Sequence, residues 1–152
     1  MKLAPKLLIV AVAVVALPAL MNAQCPGKCT GACVQTKTDA FVKSVPEQMM
    51  YLMSMEKLAE MVDAGNKDLI ILDIRPPQHY GKGHIKGSMH IPLPMLVEKM
   101  ETIPDSKKVA VVCSMDTNSA FAVAVLAMNG HDAWIAKGGI SGWEKLGREL
   151  VK

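Results

Sequence analysis

The sequence predicts an α/β fold, a small parallel sheet with helices on both faces. Two observations carry that expectation. Leu69-Ile70-Ile71-Leu72 and Val109-Ala110-Val111-Val112 are continuous apolar runs rich in branched side chains, the pattern of strands buried on both faces. Between and around them lie amphipathic stretches that end in helix stop signals, and strands that alternate with helices argue for parallel pairing. No internal repeat offers a competing architecture.

Tyr51 to Met53 is a candidate first strand. Ser54 then caps a helix from Met55 to Ala64, with Gly65 after its end and Leu58, Met61 and Val62 as its apolar stripe. The run from Leu69 to Leu72 is the first strong strand. Met89 to Ile91 is a short one before Pro92, and Pro94 starts a helix through Met100. Val109 to Val112 is the second strong strand and runs directly into Cys113. A polar loop, Ser114 to Asn118, leads to a helix from Ser119 to Met128 that stops at Asn129-Gly130. That helix is apolar nearly all round, so it is expected to be well covered. Ala133 to Ala136 is the last strand, followed by Gly138-Gly139 and a helix from about Ser141 to Leu150.

Composition places this domain behind a leader. The chain has 152 residues, 51% of them hydrophobic, with a net charge of +3. Residues 1–23 hold 18 apolar residues together with Lys2 and Lys6; the other 129 residues are about 46% apolar and carry a net charge of +1, an ordinary globular balance. Two lysines ahead of the apolar run from Leu7 to Met21 match the layout of a secretory signal. The run is short for a spanning helix. The expected organisation is therefore a signal peptide or N-terminal anchor over 1–23, a cysteine-containing linker over 24–48 and the folded domain over 49–152. Export to the periplasm or the extracellular space is expected, with membrane attachment only if the leader stays uncleaved. The near-neutral domain excludes a nucleic-acid partner, which would need a clustered basic face.

In an open parallel sheet, ligands bind beyond the carboxyl ends of the strands. Cys113 lies at such an end, and the loop after it opens into a helix. The backbone N–H groups of that loop and the positive end of the helix dipole favour an anion and raise the nucleophilic character of a thiol placed there. The competing reading is a small buried hydrophobe, a common role for a free cysteine.

The surrounding segments resemble the rhodanese (sulfurtransferase) homology domain. Leu72-Asp73-Ile74-Arg75 is similar to the family's Asp-x-Arg strand end. Tyr80 with Gly83-His84-Ile85-Lys86-Gly87-Ser88 is similar to its Tyr-x-x-Gly-His-Ile-x-Gly-Ala segment, with Ser88 where alanine is usual. Val109 to Ser119 supplies the apolar strand, cysteine and loop. Gly138-Gly139-Ile140-Ser141-Gly142-Trp143 is similar to the family's Gly-Gly-x-x-x-Trp close. These pieces span roughly residues 50 to 150 in the family's order.

The resemblance implies a rhodanese-like fold and a sulfurtransferase or persulfide carrier. Cys113 would accept a sulfane sulfur from a small donor and pass it to a thiol acceptor, with neither cofactor nor metal. It also implies an active-site loop of Ser114, Met115, Asp116, Thr117, Asn118 and Ser119. Asp73 and Arg75 are expected to tie loops together rather than to act on substrate, His84 to pack its loop, and Trp143 to lie in the core. Two positions depart from the family pattern. Asp116 stands where glycine is usual and would repel an anionic donor. Asn118 stands where arginine is frequent, so a fixed cation for thiosulfate is missing. Ser119 at the sixth position after the cysteine also sets aside the Cys-x5-Arg phosphatase pattern.

Cys25, Cys29 and Cys33 recur at a spacing of four, but Pro26, Gly27 and Gly31 oppose a helix there. A disulfide between two of them, a thiol relay to Cys113, intermolecular pairing and metal binding all stay open. The methionines lie mostly on apolar faces, as adaptable core filler does. Two functions compete with sulfur transfer: a binding module on the same scaffold with the chemistry lost, and a thiol-redox protein using the N-terminal cysteines.

Overall fold

The computed structural model describes residues 31–45 and 51–152. The leader, Cys25 and Cys29 lie outside the described residues, and so does the side chain of Cys33, so the expectations for these thiols fall outside as well.

The chain runs α1 (Gly31–Ser44), β1 (Leu52–Met53), α2 (Met55–Asp63), β2 (Leu69–Asp73), α3 (Pro77–Tyr80), β3 (Met89–His90), α4 (Leu96–Lys99), β4 (Lys108–Val112), α5 (Asp116–Met128), β5 (Asp132–Ala136) and α6 (Gly139–Lys145). Single 3₁₀ turns, Leu93–Met95 and Met100–Thr102, flank α4. The five strands form one parallel sheet in the order β1-β5-β4-β2-β3. The two strongest apolar runs, β2 and β4, are therefore central neighbours, paired from Leu69 opposite Lys108 to Asp73 opposite Val112.

The pleat divides the core in two. Val109, Val111 and Cys113 face Ala122, Val123 and Leu126 of α5, with Leu72, Ile91, Leu96 and Ile103 in the same cluster. Ala110 and Val112 point the other way, toward Met55, Leu58 and Ala59 of α2 and Ile140 and Trp143 of α6. Strand β4 is thus covered on both sides, which is why it reads as a continuous apolar run. Each fully buried valine or leucine here contributes about 1.5–3 kcal/mol. Helix α2 starts as its sequence dictates, with the Ser54 side chain accepting from the Lys57 N–H at 3.2 Å.

Helices α1, α5 and α6 differ from the sequence-based expectation. Residues 31–44, expected as part of a linker, are helical. This helix lies against α5, Lys37 donating to the Asn129 side chain at 3.1 Å and Phe41 stacking on Tyr51 with 6.0 Å between ring centroids. Helix α5 begins at Asp116 rather than Ser119, because an acidic residue in the first turn complements the helix dipole. Its cover is partial, since Phe121 is 62% exposed. Helix α6 starts two residues earlier than expected and ends at Lys145, where Gly147 takes a left-handed conformation with φ +72° and stops it.

Candidate active site

Three strand ends converge where β4 stops. Ile74, just past β2, donates its N–H to the Val112 carbonyl at 3.1 Å and accepts from the Leu93 N–H at 3.0 Å. The segment after β3 is thereby tied beside Cys113. The result is a cavity of about 300 Å³ at the carboxyl edge of the sheet, within the range of a small-molecule site. Pro76, Pro77, Pro92 and Pro94 line it together with Ile74 and Leu93. Cys113 and Asn118 complete the lining.

Cys113 itself is buried, 3% exposed, and carries a free thiol. Asn118 Nδ2 donates to its sulfur over 3.8 Å. The first-turn N–H groups of α5 have no partner within the helix, and that turn begins at Asp116, three residues after the cysteine.

The Gly138-Gly139 turn packs on the back of this loop. Gly139, φ +55°, lies so close to Cys113 that a β-carbon there would fall 1.9 Å from the Cys113 carbonyl oxygen. That oxygen instead accepts from the Ile140 N–H at 3.0 Å. Asp116 bridges the two segments, its carboxylate oxygens accepting from the Gly138 N–H at 2.9 and 3.1 Å. The carboxylate where glycine is usual thus serves as a brace between the two loops. Asp116→Ala is expected to cost about 1–2 kcal/mol, read as a lowered urea midpoint at unchanged slope.

The sequence-predicted loop residues divide in their placement. Cys113 and Asn118 meet at the cavity. Ser114, Met115 and Thr117 are exposed, Asp116 turns to Gly138, and Ser119 is fully buried inside α5. Asp73 and Arg75 are buried together: Arg75 Nε donates to both Asp73 oxygens at 2.9 and 3.0 Å, and an Nη donates at 2.6 Å to Asp73 and 2.8 Å to the Gly83 carbonyl. The guanidinium therefore holds the loop after α3 rather than lining the cavity. His84 continues that loop, stacked on Tyr80 at 3.9 Å and paired through its backbone with Val151. His90 stacks on Tyr80 at 4.1 Å and contacts the Arg75 carbonyl through Nε2 at 2.8 Å. Trp143 is buried, with Nε1 donating to the Glu149 carbonyl at 3.2 Å.

Sequence reasoning did not single out the proline walls or the close approach of Gly139 to Cys113. The signals were present as four prolines flanking two strand ends and as a double glycine. Their meaning depends on β2, β3 and β4 ending side by side.

Comparison with known proteins agrees with this geometry. A profile of the rhodanese-like domain matches residues 54–146. The chain belongs to the rhodanese-like family. A sulfurtransferase of Allochromatium vinosum is 28% identical over 89 residues, covering 58% of this chain and 83% of the relative. A thiosulfate sulfurtransferase of Pseudoalteromonas translucida is 29% identical over 100 residues, covering 65% and 93%. Among solved structures, a rhodanese-related protein of Thermoplasma volcanium superposes with a TM-score of 0.61 at 32% identity, covering 66% of this chain and 96% of that one. The parallel sheet with helices on both faces is thus a rhodanese-like fold, and its relatives include proteins named sulfurtransferases.

Proposed function

We propose that this rhodanese-like domain is a sulfurtransferase in which Cys113 carries the sulfur as a persulfide. The observation that carries the reading is the placement of a free thiol on a ligand-sized cavity, at the carboxyl end of the central strand and just before the first turn of α5. A thiolate attacking sulfane sulfur needs little proton transfer, so no general base is required. The anionic persulfide would be stabilised by the N–H groups of the first turn and by the Asn118 amide. In the second half-reaction an acceptor thiolate attacks the outer sulfur. The bond from that sulfur to Cys113 breaks, and the electron pair returns to the Cys113 thiolate. Such a two-step scheme gives ping-pong kinetics. The leader expected in residues 1–23 would place this chemistry outside the cytoplasm.

Transfer from an organic persulfide to a dithiol acceptor, followed by stopped flow, tests the reading. Cys113→Ser is expected to lower the rate by about 10³-fold or more, to the uncatalysed background, with the unfolding midpoint preserved. A variant that retained transfer would move the chemistry away from Cys113 and favour a binding module on the rhodanese scaffold.

A further inference from the structure

The cavity beside Cys113 has walls that an inorganic dianion does not match. Six of its lining side chains are proline, isoleucine or leucine, and Asn118 supplies its polar group. Among the described residues, none that lines the cavity is charged. The cation closest in sequence is Arg75, between the lining residues Ile74 and Pro76. Arg75 is 4% exposed, and its guanidinium is already bonded to Asp73 and the Gly83 carbonyl. The charged side chain of the active loop is Asp116, which is negative. Two exposed apolar side chains also lie close in sequence to lining residues: Met115, two residues past the cysteine, is 61% exposed, and Val97, three residues past Pro94, is 68% exposed. Desolvating a doubly charged anion against such walls is costly without a cation to pair with it, whereas an apolar substituent gains from the same burial.

We infer that the donor for Cys113 is a small organic sulfane-sulfur compound with an apolar substituent and at most one negative charge, rather than thiosulfate. This rests on the sulfur-transfer reading and names its substrate class. An aryl thiosulfonate shows the chemistry. The Cys113 thiolate attacks the terminal sulfur, and a new S–S bond forms to Cys113 Sγ. The bond from that sulfur to the sulfonyl sulfur breaks, and its electron pair leaves on the aryl sulfinate. Cys113 is left as an anionic persulfide, with total charge conserved and no external oxidant. Thiosulfate undergoes the same exchange with sulfite leaving, so the two donors differ by one negative charge and an aryl group.

The test loads the full chain with benzenethiosulfonate, thiosulfate or inorganic polysulfide and follows the gain of one sulfur on the Cys113 peptide by mass spectrometry. Each rate is divided by that of a free alkyl thiol with the same donor, which removes intrinsic reactivity. The normalised rate is expected to favour benzenethiosulfonate over thiosulfate by on the order of a hundredfold. Asn118→Arg, which places a guanidinium on the cavity, is expected to shift that ratio toward thiosulfate by about tenfold or more. Equal or faster normalised loading by thiosulfate in the unsubstituted chain overturns the donor inference while leaving sulfur transfer intact. Failure of all three donors, polysulfide included, overturns the transfer reading itself.

Discussion

Gly139→Ala is expected to destabilise the domain by about 4 kcal/mol or more, a size reserved for a few identifiable mechanisms. Two costs combine. The backbone there has φ +55°, and a left-handed conformation costs a residue with a β-carbon about 1–2 kcal/mol. The new methyl would also lie 1.9 Å from the Cys113 carbonyl oxygen. A backbone atom cannot swing aside as a side chain tip can, so either β4 or the Gly138-Gly139 turn must shift. Gly65→Ala isolates the first cost, because Gly65 has φ +61° with nothing within 4 Å of the added carbon. It is expected to lose about 1–2 kcal/mol. The difference between the two in urea unfolding measures the contact. Equal losses would mean that Gly139 does not approach the Cys113 carbonyl as described. A shift of that carbonyl also moves the thiol, so sulfur loading should fall in Gly139→Ala and not in Gly65→Ala.

Asp73→Ala is expected to cost about 3–5 kcal/mol, because it strands a buried guanidinium. Arg75 is 4% exposed and Asp73 1% exposed. With the carboxylate gone, the guanidinium keeps the Gly83 carbonyl but loses the partner that balances its charge. Replacing both residues with apolar ones removes the stranded charge as well. The double variant Asp73→Ala/Arg75→Met is therefore expected to be more stable than Asp73→Ala alone, a non-additive result typical of a contacting pair. A double variant that loses the sum of the two single losses would show that the pair is not coupled. The loop after α3 hangs on this pair and on the Tyr80 stack, and Pro76 and Pro77 of the cavity wall lie at the start of α3 next to Arg75, so donor loading should slow together with stability.

The sheet was legible in the sequence because its central strands are buried on both faces. A parallel strand covered twice has no reason to alternate, and the runs at β2 and β4 show that directly. Helix α2 was legible from Ser54 and Gly65, whose chemistry is local. The missed elements depend on distant partners. Helix α1 has few large apolar residues, and its contacts include Lys37 to Asn129, Phe41 on Tyr51 and Ser44 with the Tyr51 hydroxyl. Helix α3 is a single turn started by Pro77. Helix α6 ends at Lys145, where the left-handed Gly147 stops it, short of the expected Leu150. Leu150 packs instead beside Gly83, where an added β-carbon would sit 3.2 Å from it.

The site divides along the same line. Cys113 was identifiable because a cysteine ending an apolar strand before a helix is a local pattern. The electrostatic character of its surroundings was only half legible. Asn118 and Asp116 could be read as departures, yet their contacts could not. Asn118 touches the sulfur, and Asp116 braces Gly138. The proline walls required knowing that three strands end together.

The most direct measurement is the mass of the Cys113 peptide after brief exposure of the full chain to a sulfane-sulfur donor and alkylation. The prediction is a gain of one sulfur atom on Cys113, absent in Cys113→Ser and removed by an acceptor thiol with release of the sulfur to that acceptor. An unmodified Cys113 peptide under every donor, in protein that unfolds cooperatively, would contradict it.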